Sequence, residues 1–482
     1  MEVTPAVIGG TERLARSGQY IDSHDPATGA LIGRIPRMGA DDVADAVDAA
    51  LTAAPAWRQT PVGERIARVL QLADRLEQRA DELSRIDVAD NGTPIGSMRG
   101  FVKFGVDFIR YQANLAREVR GETVPDAHDA LNISVREPYG VTGRIIPFNH
   151  PMVDATVKIV PALVTGNTVV LKPSEYTSMS ALALGRDFTD LFPAGVVNVV
   201  TGLGAEAGDA IVAHPEVRRI AFVGSASGGR RIQERAAQIG VKHVSLELGG
   251  KNPLVVFPDA DLDAAVDAAI RGMNFGWQGE SCASTSRLLV HDAIHDEFVD
   301  RVAARIAAIR IGDPFDEATE TGAIASRAQY EKVLGYIEIG KQDGRLVTGG
   351  DRPRGLEDGL FVRPAFFDGI APDSRIAQEE IFGPVLVAMR FRDYDDAVRI
   401  ANGIEYGLTA SVFTNDYGTA HRFARDVQAG YVWVNTVSRL GLGTPYGGIK
   451  NSGVGREGNL DDLYSYTTQK NVTFHFPDRT VD

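Results

Sequence analysis

Five short runs decide the fold: VTGRII at residues 141–146, TVVL at 168–171, VVNVV at 196–200, RIAFV at 219–223 and VSLEL at 244–248. Each is rich in β-branched residues, and helical patterns such as Met179–Leu191 and Gly228–Ile239 lie between them. Strand and helix alternating over short connections predict βαβ units and a mostly parallel sheet. The alternation resumes at Leu254–Phe257 and continues past Thr409–Phe413 and Val432–Val434, so a second α/β system is expected from about Lys251 onward. Upstream, Asp41 reads as the N-cap of an alanine-rich helix running towards Trp57. A second helix follows Pro61, with Ile66, Val69, Leu70, Ala73, Leu76, Ala80 and Leu83 at three-and-four spacing, and Asn91-Gly92 stops it. A third covers roughly Phe101 to Arg117 before the turn-rich stretch Gly121–Asp129, and Tyr464 to Phe476 reads as a closing strand.

The chain has 482 residues, a prior of about three domains. Fifty basic residues against sixty-four acidic ones give a net charge of -14, which argues against a phosphate-backbone binder. The one cysteine, Cys282, excludes an intrachain disulfide and a cysteine-built metal site, and no metal is expected. The first residues, MEVTPAVIGGTERLARSG, show no apolar stretch or cleavage site of a signal peptide, and no window resembles a membrane span. A cytoplasmic protein with no nucleic-acid or membrane partner is expected.

Two glycine-rich turns compete for a phosphate. Gly202-Leu203-Gly204-Ala205-Glu206-Ala207 fits G-x-G-x-x-A after a strand, but the acid expected about 20 residues on is missing: Phe222-Val223-Gly224-Ser225 stands there. The alternative, Gly224-Ser225-Ala226-Ser227-Gly228-Gly229, runs from a strand into a helix start, where backbone N–H groups can approach an anion. On these residues alone, an ordinary tight turn explains it equally well.

Six further segments form a series. Pro147-Phe148-Asn149-His150-Pro151 and Lys172-Pro173-Ser174-Glu175 each follow a strand. Leu246-Glu247-Leu248-Gly249-Gly250-Lys251 and Gln278-Gly279-Glu280-Ser281-Cys282 come next. Glu379-Glu380-Ile381-Phe382-Gly383-Pro384-Val385 and Pro445-Tyr446-Gly447-Gly448-Ile449-Lys450-Asn451-Ser452-Gly453 complete it. In order and rough spacing these resemble the NAD(P)-dependent aldehyde dehydrogenase superfamily, and the resemblance runs from Asp25-Pro26-Ala27-Thr28-Gly29 nearly to the end of the chain.

The resemblance implies an α/β fold in three parts. An NAD-binding domain would span 1–120 and 140–250, a catalytic domain 251–445, and a small β oligomerisation element 121–139 with 460–482. It implies oxidation of an aldehyde to the acid. A thiolate is a suitable nucleophile, because it adds to a carbonyl and leaves a thioester that water can open. Cys282 is the candidate; a lone cysteine would otherwise read as a small buried hydrophobe. By the family pattern, the Asn149 amide and the Cys282 backbone N–H would hold the oxyanion, although Asn149 alone also reads as a turn residue. Glu247 would activate the hydrolytic water, against the plainer reading of a carboxylate paired to a nearby base. Lys172 and Glu175 would hold the adenosine ribose, and Gly224, Ser225 and Gly228 the pyrophosphate turn. Glu380 would hold the nicotinamide ribose with Phe382 against the ring, although Glu380 beside Glu379 also reads as a solvated charge. A carboxylate at 175 favours a free 2′-hydroxyl over a 2′-phosphate, so NAD is expected ahead of NADP.

The chain departs from the family pattern in several places. Gly276 and Trp277 stand where many relatives carry a bulky aromatic and then Asn. Glu280 replaces a common Gln, either raising the Cys282 pKa by like charge or facing solvent. His150 replaces an apolar residue, and Asp154 follows four places later, so the two would share a helix face. With Arg439 and Tyr446 they suggest a polar pocket and a polar or aromatic aldehyde; a surface His–Asp pair is the competing reading. Thr468 stands where many relatives have a glutamate, in the subunit-contact strand. Edge strands without a local partner predict a homodimer or homotetramer. Two rivals remain: a coenzyme-A-acylating semialdehyde dehydrogenase, against which Glu247 argues, and a non-catalytic scaffold on the same fold.

Overall fold

The computed structural model describes residues 2–476. A six-stranded sheet carries the five deciding runs, in the order Gly453–Val454, His243–Glu247, Val217–Val223, Val141–Ile145, Thr168–Lys172, Val197–Val199. Every neighbouring pair is parallel except the first, where Gly453–Val454 runs antiparallel to His243–Glu247. Val141–Ile145 and Thr168–Lys172 are buried along their whole length, as strands covered on both faces must be. A seven-stranded sheet follows, in the order Arg345–Thr348, Ala365–Asp368, Val385–Phe391, Arg287–His291, Pro253–Val256, Thr409–Phe413, Tyr431–Val434. Only its first pair is antiparallel. A third sheet pairs Thr467–His475 with Ala130–Pro138 and that with Thr123–Val124, antiparallel throughout.

The helices differ from the sequence reading at their ends. The first spans Ala40–Gln59; Gly39 caps it and Asp42 Oδ2 accepts the Gly39 N–H, so Asp41 lies inside the first turn. The run after Pro61 breaks at Arg79 into Val62–Gln78 and Ala80–Asn91, because the Arg79 backbone leaves helical geometry. Gly92, at φ 83°, ends the second piece as the Asn-Gly pair predicts. The third helix starts six residues early, spanning Ile95–Leu115 with Pro94 ahead of it. Leu460–Tyr464 is a short helix rather than the start of the last strand. No helix among the described residues is long and apolar enough to cross a membrane.

Parallel strands deliver their carboxyl ends to one side, where α/β sheets place ligands. The registers Ile145↔Lys172 and Val223↔Glu247 bring Pro147–Asn149, Lys172, Gly224 and Glu247 to one edge.

Candidate active site

A cavity of about 300 Å³ opens at that edge. It is lined by Asn149, Lys172, Glu175, Gly224, Ser225, Glu247, Cys282, Glu380 and Phe382, so most of the sequence-predicted site residues meet in one place. Gly204 also reaches it, the one point at which the distrusted fingerprint touches the site. That fingerprint folds as a single wide turn over Gly204–Gly208, while Glu206 is drawn off to Arg37. Gly228 lies behind the lining, and its N–H is taken by Ser225 Oγ at 3.1 Å, which caps the helix Ala226–Ile239.

One end of the cavity holds a lysine and a carboxylate. Lys172 Nζ is buried, donates to the Pro173 carbonyl at 2.9 Å and stands 3.4 Å from Glu175 Oε2; burial lowers its pKa. The other end holds Glu380, whose Oε1 accepts the Gly250 N–H at 2.9 Å. Burial raises its pKa despite Lys332 and Lys251 nearby. A Cβ on Gly249 would stand 2.0 to 2.4 Å from the Glu380 carboxyl atoms, so only glycine lets the backbone pass. Phe382 holds a left-handed φ of 58°, rare for an aromatic residue, and Gln329 Nε2 fixes it by donating to the Ile381 and Phe382 carbonyls at 2.8 and 2.7 Å.

The cavity narrows to the thiol. Burial pushes the Cys282 pKa up to about 12; the Tyr446 hydroxyl at 3.7 Å opposes the shift, and Glu247 and Glu380 add to it. The Cys282 carbonyl is tied to Asn252 Nδ2 at 2.7 Å, and its N–H has no acceptor among the described residues. Asn149 Nδ2 donates to the Glu280 carbonyl at 2.9 Å, which fastens the amide to the nucleophile's loop. The Phe148 carbonyl accepts from Asn91 Nδ2 and Thr177 Oγ1, so the helix-ending Asn91 also braces the Asn149 turn.

Glu247 is buried, and among the described residues its Oε1 has no hydrogen-bond partner. Burial, then the charge of Glu457, raises its pKa well above the carboxylate range. Glu457 goes the other way: Arg144 at 2.7 Å and Lys158 hold it ionised. The sequence reading missed this cluster of Arg144, Lys158 and Glu457. An arginine inside the otherwise apolar strand Val141–Ile145 was the available signal.

Three readings are corrected. Glu280 neither faces solvent nor perturbs the thiol. The left-handed pair Gln278 and Gly279 turns it inward, where both carboxyl oxygens lie 3.3 Å from the Ala325 N–H at 1% exposure. Burial raises its pKa well above the usual carboxylate range. His150 and Asp154 do not pair. The His150 carbonyl accepts the Asp154 N–H, but its ring turns to Phe101 and Trp277, with centroids at 4.4 and 5.5 Å. Burial lowers its pKa to about 3, and Asp154 instead faces Lys158 and Arg144. Arg439 is exposed and contributes its carbonyl, which accepts Trp433 Nε1 at 2.8 Å.

A thiol, an amide donor and a high-pKa carboxyl that line one cavity together with Glu175 and Glu380 suit oxidation of a carbonyl substrate on a cysteine. Comparison with known proteins agrees: the sequence model of the aldehyde dehydrogenase family matches residues 14–472. The hydroxyisobutyraldehyde dehydrogenase of Mycolicibacterium austroafricanum is 43% identical over 95% of this chain and 91% of its own. An aldehyde dehydrogenase from Bacillus cereus, solved as an NAD+ complex, superposes with a TM-score of 0.95 at 37% identity over 98% of this chain and 97% of its own. The indole-3-acetaldehyde dehydrogenase AldA of P. syringae, solved with NAD+ and IAA, gives 0.96 at 37% identity over 98% and 96%. The chain belongs to the aldehyde dehydrogenase family and is an oxidoreductase acting on aldehydes.

Proposed function

We propose that the chain oxidises an aldehyde to the free carboxylic acid with NAD as cofactor, through a thioester on Cys282. The observation that carries this reading is the meeting of Cys282, Asn149 and Glu247 in the lining of one cavity that Lys172 and Glu175 also line. The cavity fits the cofactor. Lys172 and Glu175 suit one ribose diol, Glu380 the other, and the glycine passage at Gly249 leaves room beside it. Glu175 would repel a 2′-phosphate, which makes NADP the weaker acceptor.

Glu247 takes the proton from Cys282 Sγ, and the sulfur forms a bond to the aldehyde carbon. The oxygen gains the electron pair and is held by the Asn149 amide and the Cys282 N–H, each donor lowering the barrier by about 3 kcal/mol. As the carbonyl re-forms, the former aldehyde carbon loses its hydrogen as hydride, for which bound NAD would supply the acceptor, and Glu247 passes the first proton to solvent before the next step. The remaining thioester is opened by water whose proton passes to Glu247, and Sγ leaves as thiolate.

Of the substrate readings, an aromatic aldehyde is the better supported. Phe101, His150 and Trp277 present three half-buried rings together, with His150 Nδ1 and Trp277 Nε1 sealed and unpartnered, whereas Asp154 and Arg439 turn elsewhere. A homodimer or homotetramer would form through Thr467–His475, which lies at the edge of its sheet with Phe474 exposed. Thr468, paired in register with Glu137, sits on that edge. The cofactor is assigned to residues 1–120 and 140–250, the nucleophile to 251–445, and assembly to 121–139 with 460–482; residues 477–482 lie outside the described part. A free catalytic thiol suits a reducing compartment, the cytoplasm.

The test is NADH formation from a panel of aromatic, hydroxylated and straight-chain aldehydes, without coenzyme A, with Cys282→Ala as control. Cysteine-dependent turnover led by aromatic aldehydes is expected. Turnover that needs coenzyme A, or survives in Cys282→Ala, would overturn the reading.

A further inference from the structure

Tyr446 reaches the nucleophile directly. Its hydroxyl lies 3.7 Å from Cys282 Sγ, within the range of a sulfur hydrogen bond. Among the described residues, neither atom has another hydrogen-bond partner. The ring is held in place. The Tyr446 N–H donates to the Glu457 carbonyl at 2.9 Å, its own carbonyl accepts the Glu457 N–H at 2.8 Å, and Tyr431 stands 5.9 Å away between ring centroids. The next residue, Gly447, presses its backbone against the base: a Cβ there would stand 2.6 Å from Glu247 Oε1. Phenol, thiol and base therefore share one small volume.

We propose that Tyr446 is a catalytic residue whose hydroxyl donates a hydrogen bond to the Cys282 thiolate, holding the sulfur ready for attack on the aldehyde. The proposal rests on Cys282 being the nucleophile. In the resting thiol either atom can be the donor. Once the Sγ proton has passed to Glu247, sulfur has no hydrogen to give and the phenol must donate. Tyr446 keeps its own proton, because burial raises its pKa well above that of a free phenol, with Cys282, Glu247 and Glu457 adding to the rise. The charged groups facing the thiol make such a donor necessary. Glu247 and Glu380 oppose a thiolate, and Lys158, which favours it, is engaged with Glu457.

The hydrogen bond does not lock the sulfur. As the C–S bond forms, the sulfur's negative charge moves to the carbonyl oxygen, and the contact from Tyr446 weakens while those from Asn149 and the Cys282 N–H strengthen. A bond to a charged acceptor shifts a pKa by about one to two units. Nucleophilicity falls as a thiol's pKa falls, with a Brønsted slope near about 0.45, so a tenfold gain in thiolate nets about a threefold gain in rate.

The experiment is the rate of Cys282 alkylation by iodoacetamide across the neutral-to-alkaline range, in wild type and Tyr446→Phe. No other cysteine can be labelled, and Cys282→Ala supplies the blank. Tyr446→Phe is expected to raise the alkylation midpoint by about one unit and to slow alkylation and aldehyde kcat/KM at neutral pH about threefold. The KM for NAD is expected to stay unchanged. A midpoint that stays put, whatever happens to turnover, overturns the role of Tyr446. Aldehyde turnover by Cys282→Ala would instead overturn the reading on which the proposal rests.

Discussion

The two walls that converge on Cys282 are built from different material. The cofactor wall is mostly backbone and strand ends: Lys172 and Glu247 close parallel strands, Gly224 and Ser225 open a helix, and Gly249 lets the chain pass Glu380. The wall proposed for the substrate would instead gather side chains from distant elements: Phe101 from the Ile95–Leu115 helix, His150 from a helix cap, Trp277 from a short turn and Tyr446 from a late loop. A wall of backbone tolerates little change. A wall of side chains can be redrawn by single substitutions without moving the sheet behind it.

The sharpest way to break this contrast is at the base. Glu247→Gln should lower steady-state turnover by about 10² to 10⁴-fold, and the first burst of NADH should slow as well, because the residue acts both on the Cys282 proton and on thioester hydrolysis. Because its pKa is raised, its basic form appears only as pH climbs through that raised value. Wild-type deacylation should therefore increase with pH over that interval, and Glu247→Gln should lose the limb. Absence of any change in the pH profile would remove Glu247 from the reaction.

A methyl group on the backbone wall should cost nearly as much. Gly249→Ala drives its Cβ into the Glu380 carboxyl, and displacement of this order costs about 10²-fold in the hydride step. Single-turnover NADH formation reads it directly. Unchanged kinetics would mean that Glu380 does not set the cofactor's position.

The substrate wall should give the smallest and most selective effect. Trp277→Ala removes one ring of the box, and each aromatic contact is worth about 1 kcal/mol, or about fivefold. The kcat/KM for an aromatic aldehyde should fall by that factor while that for a small straight-chain aldehyde holds. Equal loss for both would show that Trp277 supports the loop rather than the substrate.

The same division explains what the sequence discloses. Parallel strands announce themselves as β-branched runs, and the residues at their ends inherit positions from the sheet, so Lys172, Glu247 and Gly224 were legible. Glu280 was not, because its direction depends on left-handed backbone at Gln278 and Gly279, and Gln278 carries no marker for it. The i,i+4 spacing of His150 and Asp154 misled for a related reason. His150 caps the helix with its carbonyl, and its ring is free to choose Phe101 and Trp277, contacts of long sequence separation that no local pattern encodes. The Arg144–Glu457 pair spans even more of the chain, and only the oddity of a charge inside a buried strand hinted at it.

The burial that pushes the Cys282 pKa up to about 12 also governs how the protein ages. Peroxide oxidises thiolates far faster than thiols, and the damage climbs from sulfenic to irreversible sulfinic and sulfonic acids. A chain whose only thiol rests protonated enters that series chiefly in the moments when catalysis has drawn the proton away. Oxidative inactivation should then track turnovers completed rather than hours elapsed: the idle protein keeps, and the working one wears.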